Sequence, residues 1–244
     1  MHNPPAILIT IPLSHYCEKA RWGLDRAALP YSEETHAPLF SRVAGGTVPV
    51  LLHGNNRFTD STDILMYADK SCGGNVLYPR DVAQRSETEA LEEKFDTELG
   101  PNIRRWAYAQ ILSHTRLLRS LWSRDVPRLE GHVIKLIAPL TRPLVRRAYK
   151  ITPESAQRSL DRVQRLFQEI GDRLRDGRAF LVGERFTAAD LTFAALAAPM
   201  VLPAECRAVQ PTLDEVPPEM REVILRMRKT DAGRFVLRLF AQER

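Results

Sequence analysis

Short apolar runs alternate with segments of helical periodicity along residues 6–71. β-branched apolar runs predict buried strands, whereas apolar residues that recur every three or four positions predict helices. The predicted strands span 6–11, 31–37 (at a sheet edge) and 57–60, and the segment 45–53 is a glycine loop followed by a further strand. The predicted helices span 17–29 and 61–71. This order, β-α-β followed by β-β-α, is typical of a small α/β layer.

Strand signals stop after about residue 87, and only helical periodicity remains. The predicted helices span 87–99, 102–122, 159–174, 187–199 and 217–242. We expect Gly100-Pro101 to kink or interrupt the first long helix, because proline cannot donate an interior helical hydrogen bond. With 77–87 as a linker, the chain divides into an α/β domain over residues 1–82 and an all-helical domain over residues 83–244.

One segment, 131–152, differs from its surroundings because it has five basic residues, no acidic ones and many apolar ones. This composition fits either an insertion packed between helices or a surface that contacts a membrane or a polyanion. Its two prolines break the helical period and therefore favour the packed insertion.

Charge and composition narrow the class of protein. The 244 residues are 44% hydrophobic, which is enough for a globular core, and the net charge of +5 comes from 35 basic and 30 acidic residues. Because these charges are mixed along the chain and aromatic residues make up only 7%, we expect a solvated surface rather than nucleic-acid binding. No apolar run reaches the ~18 residues of a membrane span, and the N-terminus lacks the features of a signal peptide. These features predict a soluble, cytoplasmic protein.

The cysteines exclude two further classes. Cys17, Cys72 and Cys206 are few, odd in number and widely spaced. Such spacing fits neither a disulfide scaffold nor a zinc site built from clustered Cys and His ligands. We therefore expect no metal.

Ser14 and Cys17 lie where the first helix is expected to begin. Free N–H groups at a helix N-terminus favour negative charge. A redox motif would have two cysteines at this spacing, so the serine excludes dithiol cycling through these two positions. The Ser14 hydroxyl can instead donate a hydrogen bond to a ligand's thiolate, and a bond of ~1.5–3 kcal/mol lowers a thiol pKa by one to two units. The alternative is that Ser14 is only a helix cap.

Two other short segments carry candidate binding groups. Pro49 opens an apolar strand, and a cis Val48–Pro49 bond would leave the backbone N–H and C=O of Val48 free for a ligand. Asp60 and Ser61 lie at the start of the next predicted helix, with Ser61 as the expected N-cap. Their carboxylate, hydroxyl and free N–H groups can bind the zwitterionic end of an amino acid, or they can simply cap the helix.

Together these features resemble the cytosolic glutathione transferases: Ser-x-x-Cys after strand one, Val-Pro before strand three, Asp-Ser before the next helix, and "GERFTAAD" with Thr187 and Asp190 as a capping box. The resemblance implies a thioredoxin-like βαβ-ββα domain followed by an all-helical domain, usually in a homodimer. It also implies that Ser14 activates the glutathione thiol. Val48 and Pro49 would bind its cysteinyl part, and Asp60 and Ser61 its γ-glutamyl end.

The acceptor site would then lie between the domains, with Tyr16, Trp106 and Tyr108 as candidates or as core residues. His15 stands where many members have proline, and we expect it to face water, whereas we expect Cys17 to be buried. The predicted function is conjugation of glutathione to small, apolar or aromatic electrophiles. Three alternatives stay open: a non-catalytic carrier of apolar ligands, a glutathione-dependent thiol reductase or peroxidase that uses Cys17, and a protein that binds a membrane or nucleic acid through 131–152.

Overall fold

The structure is a computed structural model that describes residues 5–40 and 47–244. The first part of the molecule is a mixed four-stranded sheet. The strands are β1 (Ala6–Thr10), β2 (Tyr31–Thr35), β3 (Val50–His53) and β4 (Asn56–Phe58). Their order is β2-β1-β3-β4, with β1 parallel to β2 and antiparallel to β3, and β4 antiparallel to β3. This confirms the predicted thioredoxin-like sheet with β2 at its edge, whereas most of the predicted glycine loop lies outside the described residues.

Two helices, α1 (His15–Arg26) and α2 (Ser61–Ser71), accompany the sheet and pack on each other. The predicted inner face of α2 is confirmed, since Ile64, Leu65 and Ala68 are buried. The predicted cap is wrong by one residue. Asp60 is the N-cap, because its carboxylate accepts the Thr62 N–H at 2.8 Å, and Ser61 is the first helical residue.

The rest of the described chain is helical. Its helices are α3 (Val82–Lys94), α4 (Gly100–Ile111), α5 (Thr115–Ser123), α6 (Arg128–Ala148), α7 (Pro153–Arg173), α8 (Ala188–Val201), α9 (Pro218–Arg228) and α10 (Asp231–Glu243). A π-helical turn over Phe95–Leu99 joins α3 to α4, so the predicted interruption lies just before Gly100-Pro101. None of the described helices is long and apolar enough to span a bilayer.

Three predicted boundaries in this part are wrong. The segment 102–122 is divided between α4 and α5, and 217–242 is divided between α9 and α10. The expected linker 77–87 already contains the first turns of α3, because the Asp81 carboxylate accepts the Gln84 N–H at 2.9 Å and caps the helix. These predictions rested on periodicity alone, and periodicity does not show where a capping residue starts or ends a helix.

Helix α8 is the centre of the helical part and is buried on nearly all sides. A helix that is apolar all round belongs in a core. Its predicted capping box is confirmed: Asp190 accepts the Thr187 N–H and hydroxyl, both at 2.8 Å, and the Leu181 N–H at 2.7 Å. Since Leu181 lies before the helix, one buried carboxylate fixes both the start of α8 and the approach of the preceding loop.

The segment 131–152 does not have the predicted break. Pro139 and Pro143 both lie inside the continuous helix α6. Proline leaves a carbonyl one turn earlier unbonded, and here those carbonyls belong to positions 135 and 139, of which the first is exposed and the second half-buried. The buried face of α6, which includes Ile134 and Ala138, packs on α5, so the predicted packing is confirmed for that face.

Candidate active site

A cavity of about 320 Å³ opens between the sheet domain and the helical domain. The loop before α1 and Thr47-Val48 form one side, and α4, α5, α6 and α8 form the other. The predicted residues that line it are Ser14, Tyr16, Val48 and Tyr108. The structure therefore brings the candidate activating hydroxyl and two of the three acceptor candidates to one cavity.

Ser14 is the N-cap of α1 and a half-buried part of the cavity wall. Its backbone is extended (φ −81°, ψ 122°), and its Oγ accepts the Cys17 N–H at 3.3 Å. Because the cap uses Oγ as an acceptor, the hydroxyl hydrogen is left to donate elsewhere. The two roles considered from the sequence, cap and donor to a thiolate, are therefore compatible.

The Val48–Pro49 peptide bond is cis, as predicted. Pro49 is buried and leads directly into β3, whereas Val48 lines the same cavity as Ser14. This arrangement holds the backbone of Val48 opposite the start of α1.

Asp60 and Ser61 lie at the start of α2, outside the lining of this cavity. Asp60 is exposed and Ser61 is buried. A short chain of hydrogen bonds links them to the cavity: the Thr62 hydroxyl donates to the Asp96 carboxylate at 2.8 Å, and the Tyr16 hydroxyl donates to the Asp96 carbonyl at 2.9 Å. The first turn of α2 and the cavity are therefore joined through Asp96, with Tyr16 on the cavity side.

Tyr16 is held in place by the turn that precedes α4. A Cβ atom on Gly100 would collide with the Tyr16 hydroxyl, so only glycine lets the helix approach this closely. Burial raises the pKa of Tyr16 well above its usual range. The hydroxyl therefore stays protonated and donates its hydrogen bond to the Asp96 carbonyl. The close contact with Tyr16 explains why position 100 is glycine, which the sequence alone did not show.

The two acceptor candidates on α4, Trp106 and Tyr108, lie at different places in the structure. Tyr108 lines the cavity and stacks on Tyr149, with 5.4 Å between ring centroids. Trp106 does not reach the cavity; it is buried in the core and borders a different cleft, near α7. Positions two apart on a helix point to nearly opposite sides, so Trp106 and Tyr108 cannot share one face.

His15 and Cys17 are both buried. The expectation that His15 faces water is wrong, because its side chain lines the cavity and its Nε2 atom has no hydrogen-bond partner. Burial, helped by the nearby Arg104 charge, lowers the pKa of His15 to about 3. Cys17 is buried as expected, and burial raises the pKa of its thiol. The imidazole is therefore neutral and the thiol is protonated near pH 7.

Sequence reasoning missed several residues of the cavity wall, notably Arg104, Trp122 and Tyr149. Arg104 lies one turn before Tyr108 on α4, so helical spacing could have placed both on one face. Trp122 lies in α5, and Tyr149 directly follows α6. The sequence has no recognisable motif in this region.

Two family models match this chain. The model of the glutathione S-transferase N-terminal domain matches residues 8–75, and that of the C-terminal domain matches residues 153–226. Together they cover more than half of the sequence, so the chain belongs to the cytosolic glutathione transferase family. Helices α3 to α6 fall between the two matches. No curated protein sequence matches the chain.

Solved structures with the same fold include three bacterial proteins. The β-etherase LigF from Sphingobium sp. strain SYK-6 is 17% identical, with a TM-score of 0.61 over 96% of this chain and 99% of its own. A glutathione transferase from Burkholderia graminis, solved with two glutathione molecules bound per subunit, is 15% identical, with a TM-score of 0.64 over 98% and 84%. A glutathione S-transferase from Xanthobacter autotrophicus Py2 is 15% identical, with a TM-score of 0.61 over 97% and 93%. At these identities the likeness shows the fold alone.

Proposed function

We propose that this protein is a serine-type glutathione transferase that ionises the glutathione thiol at Ser14 and transfers it to a small electrophile. The observation that carries the proposal is the position of Ser14. Its hydroxyl caps α1, has a hydrogen to donate, and lines the same cavity as Val48. A thiolate at this point would receive the Ser14 hydrogen bond and would lie near the positive end of the α1 dipole.

Glutathione would bind along the edge of the sheet domain. The backbone of Val48 would hold its cysteinyl part, with cis Pro49 shaping the loop, and Asp60 and Ser61 would hold its γ-glutamyl ammonium and carboxylate. The Burkholderia graminis relative, which was solved with bound glutathione, supports this ligand. As in many family members, we expect a homodimer in the cytoplasm.

The chemistry is a nucleophilic substitution or addition at the acceptor. The bound thiol gives its proton to solvent, and the thiolate sulfur forms a bond to an electrophilic carbon. In a substitution the leaving group departs with its electron pair; in an addition the electrons of the attacked double bond move to the neighbouring atom, which takes a proton from solvent. Ser14 stabilises the thiolate without changing its own protonation. The acceptor would lie in the cavity against Tyr16 and Tyr108; Trp106, buried elsewhere, is not part of the proposed site.

Replacing Ser14 by Ala tests this function. Losing one hydrogen bond to a charged sulfur raises the thiol pKa by one to two units, so kcat/KM for chlorodinitrobenzene near neutral pH should fall about ten- to hundredfold. Glutathione affinity by calorimetry should change little. Ser14→Thr, which keeps the hydroxyl and the cap, should retain most activity, and Ala at the exposed Ser113 is the matched control. Full activity in the Ser14→Ala variant would contradict the role of Ser14.

The buried position of Cys17 argues against the thiol reductase alternative, because its sulfur is inaccessible and burial raises its pKa. Cys17→Ser should therefore leave conjugation within about twofold. The carrier alternative has one observation in its favour: apart from a few polar groups, apolar and aromatic side chains line the cavity. Tight binding of apolar ligands without turnover of any electrophile would favour the carrier.

A further inference from the structure

Arg104 stands out among the residues that line the cavity. It is half-buried on α4, and the carbon at the centre of its guanidinium lies 4.6 Å from the ring centroid of Tyr149 and 5.8 Å from that of Tyr16. Over residues 5–40 and 47–244, Arg104 forms no hydrogen bond and no ion pair. The neighbouring Arg105, by contrast, donates to the Tyr149 carbonyl and to the side chains of Asn102 and Ser159. Arg105 is committed to the fold, whereas the donors of Arg104 are unused.

No described residue of the cavity wall is acidic, and Arg104 is the one described lining residue with a permanent charge. The surrounding wall is mostly apolar or aromatic, including Leu121, Trp122 and Val145. A second polar group on this wall is also unused, because the His15 Nε2 atom is buried without a partner. Coulombic attraction is strong beside such a low-dielectric wall, so an unpaired cation here favours an anion.

We propose that the acceptor bound in this cavity is an aromatic or apolar molecule that carries a carboxylate, and that Arg104 pairs with this carboxylate. The guanidinium presents parallel donors that match a carboxylate, and the two tyrosine rings fix its plane. The apolar wall would hold the body of the molecule and turn its reactive carbon towards Ser14. This inference rests on the proposed transferase function for its catalytic part, but the binding preference can be measured without turnover.

Glutathione itself has two carboxylates and is the other source of the same chemistry. Its γ-glutamyl carboxylate is proposed to bind at Asp60 and Ser61, outside the lining of this cavity, so its glycyl carboxylate is the competing partner for Arg104. The affinity of the Arg104→Met variant for glutathione separates the two sources. An unchanged Kd assigns Arg104 to the acceptor, and a large loss of affinity would assign it to glutathione and overturn the proposal.

The kinetic test compares chlorodinitrobenzoate with its neutral methyl ester, each rate divided by the uncatalysed rate with glutathione. In both reactions the thiolate forms a C–S bond and chloride leaves with the electrons of the C–Cl bond. A charge-assisted pair of ~1.5–3 kcal/mol predicts that Arg104→Met lowers the ratio of the two kcat/KM values about ten- to hundredfold. Arg104→Lys should keep part of the preference. Met at the exposed Arg119 removes the same charge outside the cavity and should leave the ratio unchanged.

The binding test uses dinitrobenzoate and its methyl ester, which lack a leaving group, in calorimetric titrations without glutathione. The expected result is tighter binding of the carboxylate by the wild type and loss of that preference in Arg104→Met. If the wild type prefers the carboxylate but turns over no electrophile, this inference is upheld and the transferase function fails. If the wild type turns over electrophiles but binds acid and ester equally, this inference is overturned and the transferase function stands. A lower unfolding midpoint in Arg104→Met with an unchanged ratio would also overturn it, since Arg104 would then only brace Tyr149.

Discussion

His15 shows how one side chain at the start of α1 can link the site to the stability of the whole chain. Its imidazole is buried, and desolvation together with the Arg104 charge lowers its pKa from 6.5 to about 3. The unfolded chain therefore binds this proton at a pH where the folded protein does not. The resulting stability is fully present above pH 6.5 and is lost as pH falls towards 3.

Replacing His15 by Asn tests this linkage, because asparagine cannot titrate. Between about pH 7 and pH 5 the wild type should lose about 2 kcal/mol of unfolding free energy that the variant does not lose. Urea unfolding at the two pH values measures the difference, and Asn at the exposed His114 is the control. Equal losses in wild type and His15→Asn would mean that His15 does not cause this pH dependence of stability.

Individual residues also mark where sequence reasoning succeeds. Ser14 and Val48, which both line the cavity, could be found because they belong to local signals, a helix cap and a Val-Pro pair. Trp106 and Arg104 depend instead on which side of α4 faces the cavity. The periodicity of α4 separates Trp106 from Tyr108, but it does not say which of the two faces is the cavity, since that depends on where α5 and α6 pack.

At the scale of elements, a buried carboxylate holds the start of α8 in place. Asp190 accepts three hydrogen bonds from Leu181 and Thr187 in a fully buried setting. Removing the carboxylate leaves buried donors without partners, each of which costs about 1–3 kcal/mol.

We therefore expect Asp190→Ala to lower the unfolding free energy by about 3–5 kcal/mol. Thr152→Ala provides the contrast, because Thr152 caps α7 through the Ser155 N–H at 3.1 Å but is exposed. Its loss should cost about 1 kcal/mol. Guanidinium unfolding compares the two, and a smaller effect at Asp190 than at Thr152 would contradict the role given to the buried box.

Helix α6 shows why some elements resist prediction. Proline usually ends a helix because it removes a hydrogen bond and crowds the preceding turn. Pro139 and Pro143 are tolerated because α6 lies at the surface, where water can satisfy the carbonyls that they leave unbonded. Leu136 and Leu140, which are 74% and 79% exposed, lie on this solvent-facing side of the helix. Whether a helix lies at the surface follows from tertiary packing, which the local pattern does not contain.

At the scale of the whole molecule, a buried charged cluster joins the two domains. Lys19 on α1 contacts Glu92 on α3 at 3.0 Å and Asp96 in the π-helical turn at 2.6 Å, and its ammonium also donates to Thr62 at 2.8 Å. Lys19 and Glu92 are almost fully buried. Removing one member of such a cluster leaves buried charge uncompensated.

Lys19→Met should therefore destabilise the protein by about 3–5 kcal/mol, and adding Glu92→Gln should recover part of the loss. Met at Arg85 is the control, since Arg85 pairs with Glu89 at the surface and should contribute less than about 1 kcal/mol. Thermal unfolding followed by circular dichroism and by tryptophan fluorescence measures both variants. Lys19→Met within 1 kcal/mol of wild type would show that the cluster does not hold the domains together.

The overall architecture could be predicted because its motifs occur in order along the chain, from Ser14 to the capping box at Thr187. The shape of the cavity between the domains could not be predicted. Its helical wall includes α5 and α6, which lie outside both matched family domains, so neither motif nor family pattern describes it. The residues of the proposed glutathione site could therefore be found from motifs in the sequence, whereas Arg104, Trp122 and Tyr149 on the helical wall came from the structure.

The most direct test of the account is the ultraviolet thiolate band of bound glutathione, recorded against pH for wild type and Ser14→Ala at saturating glutathione. A donated hydrogen bond at the α1 N-terminus should keep the thiol ionised below pH 7 in the wild type. In the variant the midpoint should rise by about one to two pH units, towards the ordinary thiol value near 8.5. The same midpoint in both proteins would contradict activation of glutathione by Ser14.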